Sequence, residues 1–157
     1  MPLLVKRRFD EDGYNCNVTM LAHPAWFLAQ HVEAPEAKFN TLYGGYDYVV
    51  LQEHAHPFGP EEKFFNAVRA LTGWIKEVGS VPVIYLTWAQ KCEPEAQLRM
   101  TTVHKKIAEE TGSLLAHFGD NWWDYMRNWP DLEMYDEDGA HASPAGSDFT
   151  LPENDSS

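Results

Sequence analysis

The sequence predicts an α/β fold, a parallel sheet with helices on both faces. Three observations predict it. Residues 46–52 (YDYVVLQ) and 81–87 (VPVIYLT) are short, nearly continuous apolar runs, β-branched and aromatic, as in strands buried on both faces. Each is followed by a longer segment with helical periodicity, residues 61–78 and 93–111. Strand–helix–strand alternation requires crossover connections, and crossovers make neighbouring strands parallel.

Along the chain, residues 2–14 read as the end of a helix with Leu3, Leu4 and Phe9 apolar and Gly13 as its stop. Residues 17–21 read as a short strand, 23–31 as an aromatic loop entering a helix, and 35–42 as a second short helix before the turn at Tyr43-Gly44-Gly45. Gly59-Pro60 breaks the chain after the first clear strand. In the helix that follows, Phe64, Val68, Leu71, Ile75 and Val78 share one face, and Gly79 ends it. In the next helix Ala96, Met100, Val103 and Ile107 are in register, with Gly112 behind them. Residues 114–118 are a short strand and 121–129 an aromatic helix. Residues 1–149 make one domain, and the polar tail 150–157 lies outside it.

With 157 residues, 44% of them hydrophobic, the chain is long enough for one core. Its net charge of −12 would repel nucleic-acid phosphates and an anionic membrane surface, so neither is expected as a partner. No apolar run is long enough to span a membrane. The basic residues Lys6, Arg7 and Arg8 follow rather than precede the short apolar stretch, the reverse of a signal peptide, so the chain as given reads as cytoplasmic. Cys16 and Cys92 fit no zinc or redox spacing and read as free, partly buried thiols.

In open α/β sheets, sites form at the carboxyl ends of the strands. Polar clusters stand there: Gln52-Glu53-His54 after one strand, Trp88-Ala89-Gln90 after another. A third candidate is Asp138 with His141. A carboxylate three residues before an imidazole, on a loop opened by Gly139, can fix the tautomer and leave the other nitrogen as a base. The ordinary alternative is a polar loop whose Ser143 caps a following helix. His54 and His56 read as exposed loop histidines. A metal site there lacks a third ligand in sequence, and neither a metal nor a cofactor is expected. Trp26 and Phe27 read as core packing.

Tyr135, Asp138, Gly139, His141, Ser143 and Gly146 resemble the final block of SGNH (GDSL-like) hydrolases, with Ala142 where many members have proline. Residues 46–54 resemble the family's third block, in the branch that carries glutamine, here Gln52, in place of the oxyanion asparagine. The resemblance implies a three-layer flavodoxin-like fold. It also implies hydrolysis of acyl esters, often acetyl groups on carbohydrate, by a Ser-His-Asp mechanism without metal. His141 would be general base, Asp138 its orienting partner and Gln52 an oxyanion donor.

Two family features have no match. No Gly-(Asp/Asn)-Ser turn is present, and neither Ser80, Ser113, Ser143, Ser147, Ser156 nor Ser157 stands where the nucleophile should. The second block, residues 21–28, has no glycine, and Pro24 has no N–H to offer an oxyanion. The resemblance places the first strand and the nucleophile turn upstream of Met1. That would open the middle of the sheet unless its strands close up or a second copy fills the slot. The leading reading is an ester-hydrolase lineage without a nucleophile in this chain. The alternative is a non-catalytic glycan- or ligand-binding descendant, with Trp88, Trp122, Trp123 and Trp129 as possible stacking surfaces. A third reading has His141 activating water directly.

Overall fold

A computed structural model describes residues 2–55 and 58–149; His56 and the tail 150–157 lie outside the described residues. In chain order the helices are α1 (Pro2–Glu11), α2 (Leu28–Glu33), α3 (Pro35–Tyr43), α4 (Glu61–Glu77), α5 (Ala96–Thr111), α6 (Phe118–Asn128) and α7 (Pro144–Phe149). The strands are β1 (Tyr48–Gln52), β2 (Val81–Tyr85) and β3 (Leu114–Ala116), all parallel and in the order β1-β2-β3. This is the expected mixed α/β architecture of flavodoxin-like type.

The α4 and α5 crossovers both step in the same direction across the sheet. Right-handed connections therefore put both helices on one face. The predicted apolar stripe of α4 is buried there: Phe64, Val68, Leu71 and Ile75 pack with Val103 and Ile107 of α5 onto Leu51 and Ile84 of the sheet. His104 is buried in the same region, with Nδ1 2.7 Å from the carbonyl of Met100 and its ring against Phe58 and Phe64. Burial lowers its pKa to about 4. Gly112 ends α5 in the left-handed conformation that glycine adopts most readily.

The opposite face is covered at its carboxyl end, where Phe118 of α6 stacks on Tyr85 with ring centroids 4.7 Å apart. Toward the amino end it is open. Tyr48 is 62% exposed, Val50 59%, Leu114 54% and Val81 37%.

Several boundaries differ from the sequence expectation. The strand expected at 17–21 does not form; residues 14–23 have no regular structure, and Val18, Met20 and Leu21 are exposed. A strand needs a neighbour to take its backbone hydrogen bonds, and the three-stranded sheet does not include this segment. Helix α6 starts at Phe118 rather than at 121, with Gly119 inside it. A Cβ at Gly119 would lie 2.1 Å from the carbonyl of Thr87, so a glycine is what lets this turn close on the end of β2. Both cysteines are free; Cys16 is half-buried as expected, whereas Cys92 is exposed.

Candidate active site

The segment carrying Asp138 and His141 is a tight, hydrogen-bonded loop. Tyr135 and Ala142 form an antiparallel bridge. The Asp136 N–H donates to the His141 carbonyl at 2.8 Å and the Ser143 N–H to the Met134 carbonyl at 2.9 Å. At the tip the Gly139 N–H closes onto the Asp136 carbonyl at 2.9 Å, with Gly139 at φ +65°. A side chain in that conformation costs roughly 1–2 kcal/mol, so the glycine is a requirement of the turn.

Within this turn one carboxylate oxygen of Asp138 accepts the N–H groups of Ala140 and His141, each at 2.9 Å. The other bonds Nδ1 of His141. The His141 contact, then the two backbone donors, hold the Asp138 carboxyl well below the usual carboxylate range. Asp138 is therefore ionised at neutral pH and able to stabilise an imidazolium. With Nδ1 engaged, Nε2 is the nitrogen left to accept a proton, on a side chain that is 83% exposed.

The loop is fastened to the carboxyl end of β2. The indole N–H of Trp88 donates to the Ala140 carbonyl at 2.8 Å, the Lys91 N–H to the Gly139 carbonyl at 2.9 Å, and the Tyr135 hydroxyl to the Ala89 carbonyl at 2.7 Å. Trp88 stacks on Trp122 at 4.0 Å, and Trp122, Met134 and Tyr135 are buried beneath the loop. Ser143 donates its hydroxyl to the Glu133 carbonyl and receives the Gly146 N–H, capping α7 as the sequence suggested. Gly146 lies so close that a Cβ would meet the Met134 carbonyl at 2.2 Å and Trp122 at 2.6 Å.

Gln52 ends β1, the strand beside β2, with its side chain exposed. The structure thus joins Asp138 to His141 and places Gln52 at the carboxyl end of the neighbouring strand. No hydrogen bond among the described residues links Gln52 to that pair. Glu53, read from sequence as a polar strand end, is 6% exposed. One of its oxygens accepts the N–H of Leu28 at 3.1 Å and of His54 at 2.7 Å. Burial raises its pKa, while those two bonds oppose the shift. Glu53 therefore ties the start of α2 to the end of β1. His54 is not an open loop histidine: it is half-buried, its ring 5.0 Å from that of Phe27. Half-buried Trp26 stacks on His23 at 4.0 Å.

Residues 21–28, which contain no glycine, include one glycine-like backbone position. Ala25, at φ 60°, is the residue other than glycine that takes a positive φ among the described residues. Such a strained position costs about 1 kcal/mol or more and persists only where its surroundings impose it.

No family profile matches the sequence, and no curated protein matches it. Solved structures do. A proposed SGNH hydrolase from Slackia heliotrinireducens aligns over 95% of this chain and 85% of its own, with a TM-score of 0.79 and 25% identity. The chain has the SGNH-hydrolase fold. A point mutant of an acetyl-xylooligosaccharide esterase from Geobacillus shares that fold, with a TM-score of 0.57 and 18% identity over 75% of this chain and 63% of its own.

Among the described serines, Ser80, Ser113 and Ser143 each hold a hydrogen bond to a group other than His141. Ser80, buried, donates to the Tyr46 carbonyl at the amino end of β2. Ser113 shares a hydrogen bond with Thr111 ahead of β3. Ser143 holds the loop, Ser147 lies in α7, and Ser156 and Ser157 are outside the described residues. Trp88 and Trp122 are packed, and Trp123 donates to Gln97. Of the four tryptophans considered as stacking surfaces, Trp129 is exposed, stacked on Tyr125 at 4.2 Å. Among the described residues no group of three His, Cys, Asp or Glu side chains is arranged to hold a metal, and no helix is long and apolar enough to cross a membrane.

The anchors Trp88, Tyr135 and Lys91 and the buried Glu53 were not assigned these roles from sequence. The place of Trp88 just past the carboxyl end of a strand singles it out in the sequence, and the same signal extends to Lys91.

Proposed function

We propose that this chain carries the Asp–His half of an SGNH-type ester-hydrolase site, for acyl esters and in particular acetyl groups on carbohydrate. The observation that carries the reading is the Asp138–His141 hydrogen bond on a loop anchored beside the carboxyl end of β2. In that half-site Asp138 orients the His141 ring and stabilises its charged form; His141 would be general base through Nε2, and Gln52 would donate to the oxyanion, once a nucleophile is supplied. The acetyl-ester preference draws its support from the esterase that shares the fold. No serine of this chain is assigned as nucleophile, so the chain as given is expected to be inactive toward esters.

Two measurements test this. Nitrogen NMR of neutral His141 should show the Nδ1–H tautomer, and Asp138→Ala should remove that preference. An Nε2–H tautomer in the unaltered protein sinks the assigned roles. A fluorophosphonate probe should leave the chain unlabelled. Stoichiometric labelling would show that a nucleophile is present after all.

A further inference from the structure

On the Asp138 and His141 roles proposed above, we infer that Trp88 is a positioning residue for His141: its indole N–H fixes the peptide group that holds the Asp138 carboxylate against the imidazole. That peptide joins Ala140 to His141. Its carbonyl accepts the Trp88 indole N–H at 2.8 Å, and its N–H donates to Asp138 at 2.9 Å. The preceding peptide, between Gly139 and Ala140, is held in the same way. Its carbonyl accepts the Lys91 N–H at 2.9 Å, and its N–H donates to the same Asp138 oxygen at 2.9 Å. Two successive peptide groups are thus tied on their oxygen side to segment 88–91 and on their nitrogen side to Asp138. The other Asp138 oxygen bonds Nδ1 of His141.

A peptide group is planar, so a donor that fixes its oxygen also fixes the direction of its N–H. Accepting a hydrogen bond at the oxygen polarises the group and strengthens the bond that its N–H donates. These links matter here because packing does not confine the pair: the Asp138 side chain is 49% exposed and that of His141 83%. Trp88 brings rigidity to them from the core. It is buried, and it stacks on the fully buried Trp122 with ring centroids 4.0 Å apart and planes 9° apart. Trp122 in turn lies against Gly146, where a Cβ would stand 2.6 Å from its ring. An indole immobilised in this way presents its N–H in one direction. A phenylalanine in the same stack would leave the Ala140 carbonyl without that donor.

Nitrogen NMR of neutral His141 in the full chain provides the test, on the unaltered protein, on Trp88→Phe, and on the chain with benzothienylalanine at position 88. That analogue keeps the fused rings and lacks the N–H, so the stack survives should Trp88→Phe disturb folding. In both variants the ratio of the Nδ1–H to the Nε2–H tautomer should fall about fivefold, the effect of one lost hydrogen bond. The His141 amide should exchange with solvent faster by a similar factor. The Ala140 amide, whose peptide is held by Lys91, should stay within about twofold. Trp123→Phe removes a different indole donor, the one to Gln97, and should leave all three readings unchanged. If the unaltered chain carries the Nδ1–H tautomer and the benzothienyl variant keeps the same ratio, the inference is overturned while the roles of Asp138 and His141 stand. Equally accelerated exchange at Ala140 and His141 also overturns it, because Trp88 would then support the loop as a whole. An Nε2–H tautomer in the unaltered chain removes the Asp138 and His141 roles, and the inference with them.

Discussion

Val50 and Leu51 are consecutive residues of one strand and similarly apolar, yet Leu51 is 5% exposed and Val50 59%. Leu51 lies on the face that α4 and α5 cross; Val50 lies on the face that α6 covers only at its carboxyl end. The contrast shows that burial in this sheet follows connection geometry. Two right-handed crossovers stepping the same way load one face with helices and leave part of the other uncovered. Stability should therefore be concentrated on one side of the sheet, and the other side should tolerate change.

The largest effect that could break this contrast is on the covered face. Phe64→Ala should cost about 3–5 kcal/mol in denaturant unfolding, because it opens a cavity where the side chain is 2% exposed. A loss below about 1 kcal/mol would mean that the face is not the stabilising one. Acid should act on the same face through His104. Its folded pKa of about 4 lies below the ordinary 6.5, so the unfolded chain binds more protons between those values. Stability is then complete above the ordinary value and falls as pH drops toward about 4. The total loss is about 3 kcal/mol. Unfolding midpoints measured across that window should flatten in His104→Phe.

Smaller effects sharpen the contrast at its margins. Ala25→Gly should raise stability by about 1 kcal/mol, because glycine takes the left-handed conformation without strain. Thermal unfolding showing a loss instead would mean that the alanine methyl makes a contact that outweighs its strain. Val50→Thr on the open face should change stability in denaturant unfolding by less than about 0.5 kcal/mol. A change as large as that of Phe64→Ala would erase the difference between the faces.

The sequence by itself determined the features that depend on neighbours a few residues apart. The apolar run of β1, the stripes of α4 and α5, and the stop at Gly112 are set by local periodicity and backbone preference. So are the turn at Gly139 and the Ser143 cap of α7, and with them the Asp138–His141 pair. Three residues of separation on a tight turn are enough to bring carboxylate to imidazole. Only the tertiary structure decided what depends on distant partners. Residues 17–21 have the composition of a strand but gain no paired edge. Glu53 is buried because Leu28, far back in the chain, gives it a backbone donor. Trp88 packs on Trp122 and holds Ala140, and so fastens a loop that the sequence could draw but not place. Which face of the sheet is covered follows from crossover handedness and from the elements available to cover it, and that information is carried by the whole chain rather than by any strand in it.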